Sequence, residues 1–400
     1  MIADLKVLVL DGYSKQSLVI VRSLGSKGIE VHCGSSRRMS MALHSKYCRR
    51  KVFYPDPSVD PEGFVRFLAQ YESEHGGTSG LAIIPCSDST VQTMAWAHRT
   101  GRFRAKIQVL PELEMLESAT DKLKTFDLCE RLGIPYPRTW RCMRPEDLET
   151  FQSELTFPLI VKPRHTFRLI DGRGFKDTAS VVHTHEEAVE RFTDFLTRSG
   201  EAPIVQEYVS GDEYGVGCLF SRGKESGMVA YRRLRSLSAA GGASTYRETV
   251  RMDPGLHGAS DSLLSGLGWH GPAMVEFKKD RRDGTYRVIE INARFWGALF
   301  LSHAAGMDFP WMWFRMLRNE QVPPVREYAT GLKARHLLGD LQHYRSKRSF
   351  SLKDAASFLR VFRPDEKVEV LSWVDPIPAF VEIGAYVRGL VRSRARRRKK

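Results

Sequence analysis

In the stretch "YRVIEINARFWGALFLS", residues 286–302, Glu290, Asn292 and Arg294 take alternate positions ahead of an apolar run. Strand side chains alternate between faces, so positions i, i+2 and i+4 form one row. Here the row is two oxygen-bearing side chains followed by a guanidinium, with Val288 expected in phase and Ile289 and Ile291 on the opposite face. Upstream, "AMVEFKKDRRDGT" is a second β-type run, and its Asp283-Gly284 pair is a hairpin-turn signal. With the turn centred on Asp283, Glu276 lies seven residues before it and Glu290 seven after. The two glutamates are then expected directly across the ladder. Like charges so placed destabilise a sheet, and a bound cation removes the repulsion. Two carboxylates and an amide are hard oxygen ligands that suit Mg²⁺, or Mn²⁺ in its place, with phosphate oxygens filling the remaining positions. Taken alone, the same row is also the solvated face of an edge strand, so the rest of the chain has to decide.

Mg²⁺ held by carboxylates points to a nucleotide, and the chain offers groups to hold one. Lys162 ends the buried run "LIVK", which delivers it to a fixed point. Lys122 in "TDKLKTF" stands at the first turn of a helix, where backbone N–H groups already favour anions. "VQEYVSGDE" supplies backbone groups beside an apolar slot for a base, and Glu213 for a ribose. In "YRRLRSLSAAGGASTYRET", Arg232, Arg233 and Arg235 precede Gly241-Gly242 and Ser244. Arginine forks bind carboxylates bidentately, and a glycine pair lets backbone N–H groups approach an oxyanion. The competing reading of that segment is a solvated basic strand.

These residues need elements to position them. Residues 5–118 alternate short apolar runs with helical patterns: "KVLVLDG", "SLVIVRSLGSKG", "IEVHCGS", "FVRFLAQYESEH", "LAIIPCSD", "KIQVLPE". That βαβ rhythm predicts a small parallel sheet with helices on its faces. "DGYSKQS" contains only Gly12 where G-x-G-x-x-G needs three, so NAD is not expected. A helix is expected over "SATDKLKTFDLCERLG", capped by Ser118 or Thr120 and ended by Gly133. A strand at "FPLIVKPR", a strand and helix at "ASVVHTHEEAVERFTDFLTRSG", and a strand–turn–strand at "APIVQEYVSGDEYGVGCLFS" follow. Residues 226–300 read as largely β with a loop at "SAAGGAST", and the chain beyond about 320 is less patterned.

Together and in this order, "ATDKLKTFDLCERLGIPYPRT", "FPLIVKPR", "VQEYVSGDEY", "AMVEFKKD" and "YRVIEINARFWG" resemble the ATP-grasp superfamily over residues 119–300, and "LAIIPCSDSTV" resembles part of its usual preceding domain. The resemblance implies α/β and α+β architecture. A Rossmann-like domain would cover 1–118, and an ATP-grasp fold of two α+β subdomains 119–320, its lid at about 123–200. A C-terminal extension would cover 321–400. It also implies ATP between the subdomains. Lys122 and Lys162 would contact phosphates, Gln206, Glu207 and Val209 the adenine, and Glu213 the ribose. Glu276, Glu290 and Asn292 would hold Mg²⁺, and Arg294 would neutralise the transferred phosphoryl group. In the carboxylate–amine ligase branch a similar arginine run and Gly-Gly loop sit at the acyl site, which implies Arg233 with Gly241 and Gly242 there. The loop "RHTFRLIDGRGFKD" sits where a mobile lid is expected, with Gly172 and Gly174 as hinges and Arg173 toward phosphate. The implied activity is an ADP-forming ligase that activates a small-molecule carboxylate as an acyl phosphate and couples it to an amine. The alternatives are an ATP-binding regulator or scaffold at a membrane surface, and a bicarbonate-using carboxylase-like reaction.

Bulk properties set bounds. The 400 residues are 42% hydrophobic, an ordinary composition with room for two or three domains. No run is long enough to span a bilayer, the start reads as a buried strand rather than a signal peptide, and six scattered cysteines fit a reducing cytosol. Of the net charge of +14, eight Lys or Arg fall in residues 388–400, which leaves +6 for the rest. Phe380, Ile383, Val387 and Leu390 stand at helical spacing before that run. A basic amphipathic end reads as an anionic-membrane or partner contact, or as a solvated tail. Nucleic acid is not expected, because no aromatic interleaving accompanies the charge.

Overall fold

The first apolar run forms β1 (Lys6–Val9), and β2 (Val31–Ser35), β3 (Arg50–Phe53) and β4 (Leu81–Ile84) lie parallel to it in the order β3-β2-β1-β4. A computed structural model describes residues 4–78, 80–170, 172–238, 241–346, 363 and 365–397. Both faces of this sheet are buried, as parallel sheets require: Val7, Val9 and Ile84 enter one apolar cluster, Leu8, Leu81 and Ile83 another. "KIQVLPE", expected as a strand, is not one. The edge strand β3 was not expected, because of its four residues only Val52 is buried and the alternation is too short to read. Asp11, at φ 58°, closes the loop after β1. Its buried carboxylate accepts from Cys86 N at 3.0 Å and Thr90 Oγ1 at 2.7 Å, which ties that loop to the one after β4.

The helix expected over 118–133 is two helices, Leu113–Thr120 and Lys122–Arg131. Ser118 and Thr120 belong to the first. Asp121 caps the second by accepting from Leu123 N at 3.0 Å, and Arg164 grips the same carboxylate. Next come β5 (Thr139–Trp140), β6 (Leu159–Lys162), the hairpin β7 (Arg168–Ile170) and β8 (Arg173–Phe175), β9 (Ser180–Val182) and β10 (Ile204–Glu207). Four of them make an antiparallel sheet in the order β5-β10-β6-β9. The helix His185–Ser199 buries Phe192 and Phe195 against Leu159, Val161 and Val205 on one face. The other face carries Lys162 and Gln206.

The large sheet has seven strands: β11 (Gly211–Ser221), β12 (Lys224–Ser238), β13 (Gly241–Thr249), β14 (Gly271–Asp280), β15 (Tyr286–Asn292), β16 (Lys333–Arg335) and β17 (Glu366–Val368). Their order is β15-β14-β11-β12-β13-β16-β17. The reading of 226–300 as largely β missed the helix Pro254–Gly266, which Asp253 caps with Pro254 in the first turn. The segment past 320 is more than an appendage, since β16 pairs with β13 and β17 with β16. Val7 and Val9 of the first sheet share a core with Leu219 and Val229 of the large one and with Trp296 in the loop after β15. No helix among the described residues is long and apolar enough to cross a membrane.

Candidate active site

The turn does not set the register its spacing predicts, since Lys279 faces Tyr286 and Lys278 faces Arg287 beside it, yet Glu276 lies opposite Glu290 across β14 and β15. One residue later the pairing shifts, because Phe277 faces Val288 and Ile289 is extra. This bulge reverses the expected phase: Val288 is wholly buried in the core, and Ile289 turns to the glutamate side, where it lines a hollow with Glu276 and Glu213. Bulges re-aim side chains in this way. Asn292 Nδ2 donates to Glu276 Oε1 and Glu290 Oε1, both at 3.3 Å.

The two carboxylates are electrostatically unequal. Burial, and then the neighbouring Glu290 charge, pushes Glu276 up to about 7. Burial acts the same way on Glu290, but the Lys122 and Lys162 charges outweigh it and hold Glu290 below the usual carboxylate range. Lys122 Nζ lies 3.2 Å from Glu290 Oε2 and 3.2 Å from Thr166 Oγ1. Lys162 Nζ sits 5.2 Å from the centre of the Phe126 ring. No carboxylate among the described residues forms an ion pair with it, and burial followed by the Lys122 charge lowers it to about 7. A buried cation poised at its midpoint is a receptor for an anion.

Arg294 follows the strand and is clamped by Asp88, with Nε 2.7 Å from Oδ1 and Nη2 2.9 Å from Oδ2. It also donates to Asn292 Oδ1 at 3.0 Å and Phe295 O at 3.2 Å. Four of its five N–H donors are therefore engaged within the protein. Asp88 opens the helix after β4, so the first domain reaches into the site through this pair. That residue was missed because nothing in its local spacing marks a partner so far along the chain.

Residues 199–338 match the model of a family described as "ATP-grasp in the biosynthetic pathway with Ter operon". The chain is 27% identical over 291 residues to the carbamoyl phosphate synthase large chain of Methanothrix thermoacetophila, covering 68% of this chain and 25% of that one. It is 26% identical over 230 residues to the D-aspartate ligase of Enterococcus faecium, covering 53% of this chain and 52% of that one. This chain thus spans a quarter to half the length of those curated relatives. A biotin carboxylase from Campylobacter jejuni shares the fold, with a TM-score of 0.62 at 17% identity over 80% of this chain and 72% of that one. Over residues 199–338 the chain is thus similar to an ATP-grasp family, and over most of its length it shares the fold of a biotin carboxylase.

The remaining ATP-grasp residues come together less simply than their motifs suggest. Glu213 on β11 is ion-paired with Arg233 and lies 3.8 Å from Lys278. Arg233 is also 4.0 Å from Glu276 and donates to Gly242 O at 3.1 Å. Gly242 therefore presents a carbonyl to Arg233, where a backbone N–H for an oxyanion was expected. Gly241 begins β13 opposite Ser238, and Ala239 and Ala240 lie outside the described residues. Lys278, two places beyond Glu276 and on the same face, was missed; it donates to Val209 O at 3.1 Å. Gln206 donates to Thr139 Oγ1 at 2.8 Å. Glu207 accepts from Arg138 N and Arg282 Nη2, both at 2.9 Å. These last two side chains are thus tied to the protein, and what they offer a base is backbone.

The donor set fits a Mg²⁺–nucleotide. Glu276 and Glu290 face each other with Asn292 between, and the charges of Lys122 and Lys162 act on Glu290. Among the described residues no cluster of three or more His, Cys, Asp or Glu makes a complete metal cage. A divalent ion here needs oxygens from its ligand, as Mg²⁺ with phosphates provides.

Proposed function

We propose that this protein is an ADP-forming ligase that joins a small-molecule carboxylate to an amine. The observation that carries the reading is the convergence of Lys122, Lys162, Glu276, Glu290, Asn292 and Arg294 on one cleft between the small and large sheets. Phosphoryl transfer asks a protein mainly for positioning and charge neutralisation. Glu276, Glu290 and Asn292 would hold Mg²⁺, which when bound would supply charge neutralisation for the transferred group. Lys162, close to half-protonated without an anion, would take up its proton fully beside the phosphates, and Lys122 would neutralise a second oxygen. Arg294 would act mainly as fixed charge and as the brace for Asn292, with one N–H left for the phosphoryl group. The substrate carboxylate oxygen attacks the γ-phosphorus and ADP leaves. The amine then attacks the acyl carbon and phosphate leaves. Neither step needs a nucleophile from the protein.

The test is phosphate release from Mg-ATP against pools of amino acids and small carboxylates, beside Glu290→Gln. Stimulation by one pool, with ADP as product and loss in the variant, is the expected result. Stimulation by bicarbonate alone would favour the carboxylase-like reading, and ATP binding that no pool stimulates would favour a regulator.

A second reading concerns location. The C-terminal helix Ile377–Arg397 exposes Ile377, Phe380, Ile383, Val387 and Val391, and Trp373 just before it is 91% exposed. Leu390, expected in this stripe, is only partly exposed, and Val391 takes its place. An exposed apolar stripe running into eight basic residues suits the plane of an anionic membrane. Co-sedimentation with phosphatidylserine vesicles, abolished by Phe380→Asp, is expected; no sedimentation even at low salt would remove this reading.

A further inference from the structure

A cavity of about 780 Å³ lies apart from the paired glutamates. It opens at the carboxyl ends of β1 and β2, where Tyr13, Arg37 and Arg38 follow the strands, and the helix Ile377–Arg397 walls its other side. Ligands of open parallel sheets bind outside this end. Because β1 lies between β2 and β4, the cavity is a neighbour of the loop after β4, where Asp88 clamps Arg294.

Its lining has one dominant charge. Arg37, Arg38, Arg388 and Arg392 face it from opposite walls, and none of the four forms an ion pair among the described residues. Arg37 stacks 4.3 Å from the Tyr13 ring centre, Arg38 lies 5.7 Å from that of Phe53, and Arg388 reaches Met39 Sδ at 3.6 Å. The lone lining carboxylate, Glu382, is bound to His336 at 2.7 Å. Met41, Leu237 and Leu338 supply an apolar floor. Small-molecule sites of about 300–1,000 Å³ with a few convergent polar groups have this character. Guanidinium forks select carboxylates and phosphates. By contrast Arg233, the arginine that the motif assigns to the acyl group, is already held by Glu213.

We propose that this cavity binds a small polyanion, with at least two carboxylate or phosphate groups on an apolar or aromatic body, as the acid substrate of the ligase. Only its role as substrate rests on the ligase reading; the binding does not. Two pairs of guanidiniums across a hollow set the demand for more than one anionic group, and the apolar floor sets the demand for a body between them.

The test is calorimetric titration of the full chain with benzene-1,3,5-tricarboxylate and with inorganic pyrophosphate, at fixed ionic strength, with and without Mg-ADP. One-to-one binding of the tricarboxylate, unaffected by Mg-ADP, is expected. Arg37→Gln/Arg38→Gln and Arg388→Gln/Arg392→Gln should each weaken it by about tenfold or more, with unchanged melting and unchanged Mg-ADP affinity. Glu290→Gln should do the reverse. Absence of saturable binding by either probe at millimolar concentration, wild-type affinity in both arginine pairs, or displacement by Mg-ADP would each overturn the proposal. If the probe results hold while no acid stimulates phosphate release, the ligase reading fails and the cavity assignment stands.

Discussion

Lys162 is the residue whose chemistry is most exposed to measurement. It titrates near 7 because burial and Lys122 disfavour its charge, and phosphate anions would raise that value. Below pH 7 the lysine is already charged when nucleotide arrives; above it, binding has to take up a proton, so affinity falls as pH rises. At pH 8, Mg-ADP titrations in buffers of different ionisation enthalpy should show uptake approaching one proton, lost in Lys162→Met. Asp88 supports a second prediction. Asp88→Asn weakens the clamp on Arg294 and hence on Asn292, and partners one step removed from a metal usually cost about 10–100-fold in activity. Phosphate release by the folded protein should fall by that order, measured below a melting transition that the loss of Arg294's counter-charge lowers. At this scale the sequence carried much of the site. Glu276 and Glu290 are legible as acidic residues on two strands joined by an Asp-Gly turn, although it is the bulge at Ile289 that brings them opposite each other. Ile289 is not, since a bulge leaves no local mark, and neither is Asp88, whose partner is 206 residues away.

Among the elements, the hairpin of β7 and β8 is the proposed lid. Gly174 N donates to Ser58 O at 2.8 Å, so the hairpin rests on the first domain. The hollows beside Lys122 and Glu290, about 20 Å³, and beside Glu213, about 70 Å³, are too small for a nucleotide. We propose that the hairpin and small sheet lift to admit one. A Cβ at Gly174 would meet Ser58 Cα at 2.7 Å, so Gly174→Val should undock the hairpin. Limited proteolysis within 168–175 should then be faster without nucleotide than in the wild-type chain, whereas an unchanged pattern would show that the contact does not hold the lid. Long apolar strands were readable here, and three-residue strands such as β16 and β17 were not, because they take their stability from the neighbours that pair with them. The helix Pro254–Gly266 escaped for a different reason: glycine and serine dilute its apolar period, and only Asp253-Pro254 marks its start.

At the scale of the whole molecule, the end of the described chain locks the first domain to the large sheet. Glu369 receives Lys15 Nζ at 2.5 Å and the Arg247 guanidinium, and all three side chains are largely buried. Glu369→Gln would leave two buried cations without their counter-charge, a loss of about 3–5 kcal/mol for a buried pair. Urea unfolding should shift its midpoint accordingly, and a shift within experimental error would mean that solvent reaches the cluster. None of this was visible in the sequence, where 15, 247 and 369 share no pattern; the same is true of the arginine-lined cavity, which draws on residues within 13–41, on Leu237 and on residues within 336–342 and 382–392. The central claim remains that a carboxylate is activated by phosphorylation. The measurement that tests it most directly supplies the stimulating acid with both carboxylate oxygens as oxygen-18 and analyses the released phosphate by mass spectrometry. Attack of the carboxylate on the γ-phosphorus predicts one labelled oxygen in each phosphate; ADP formation with unlabelled phosphate would contradict the account.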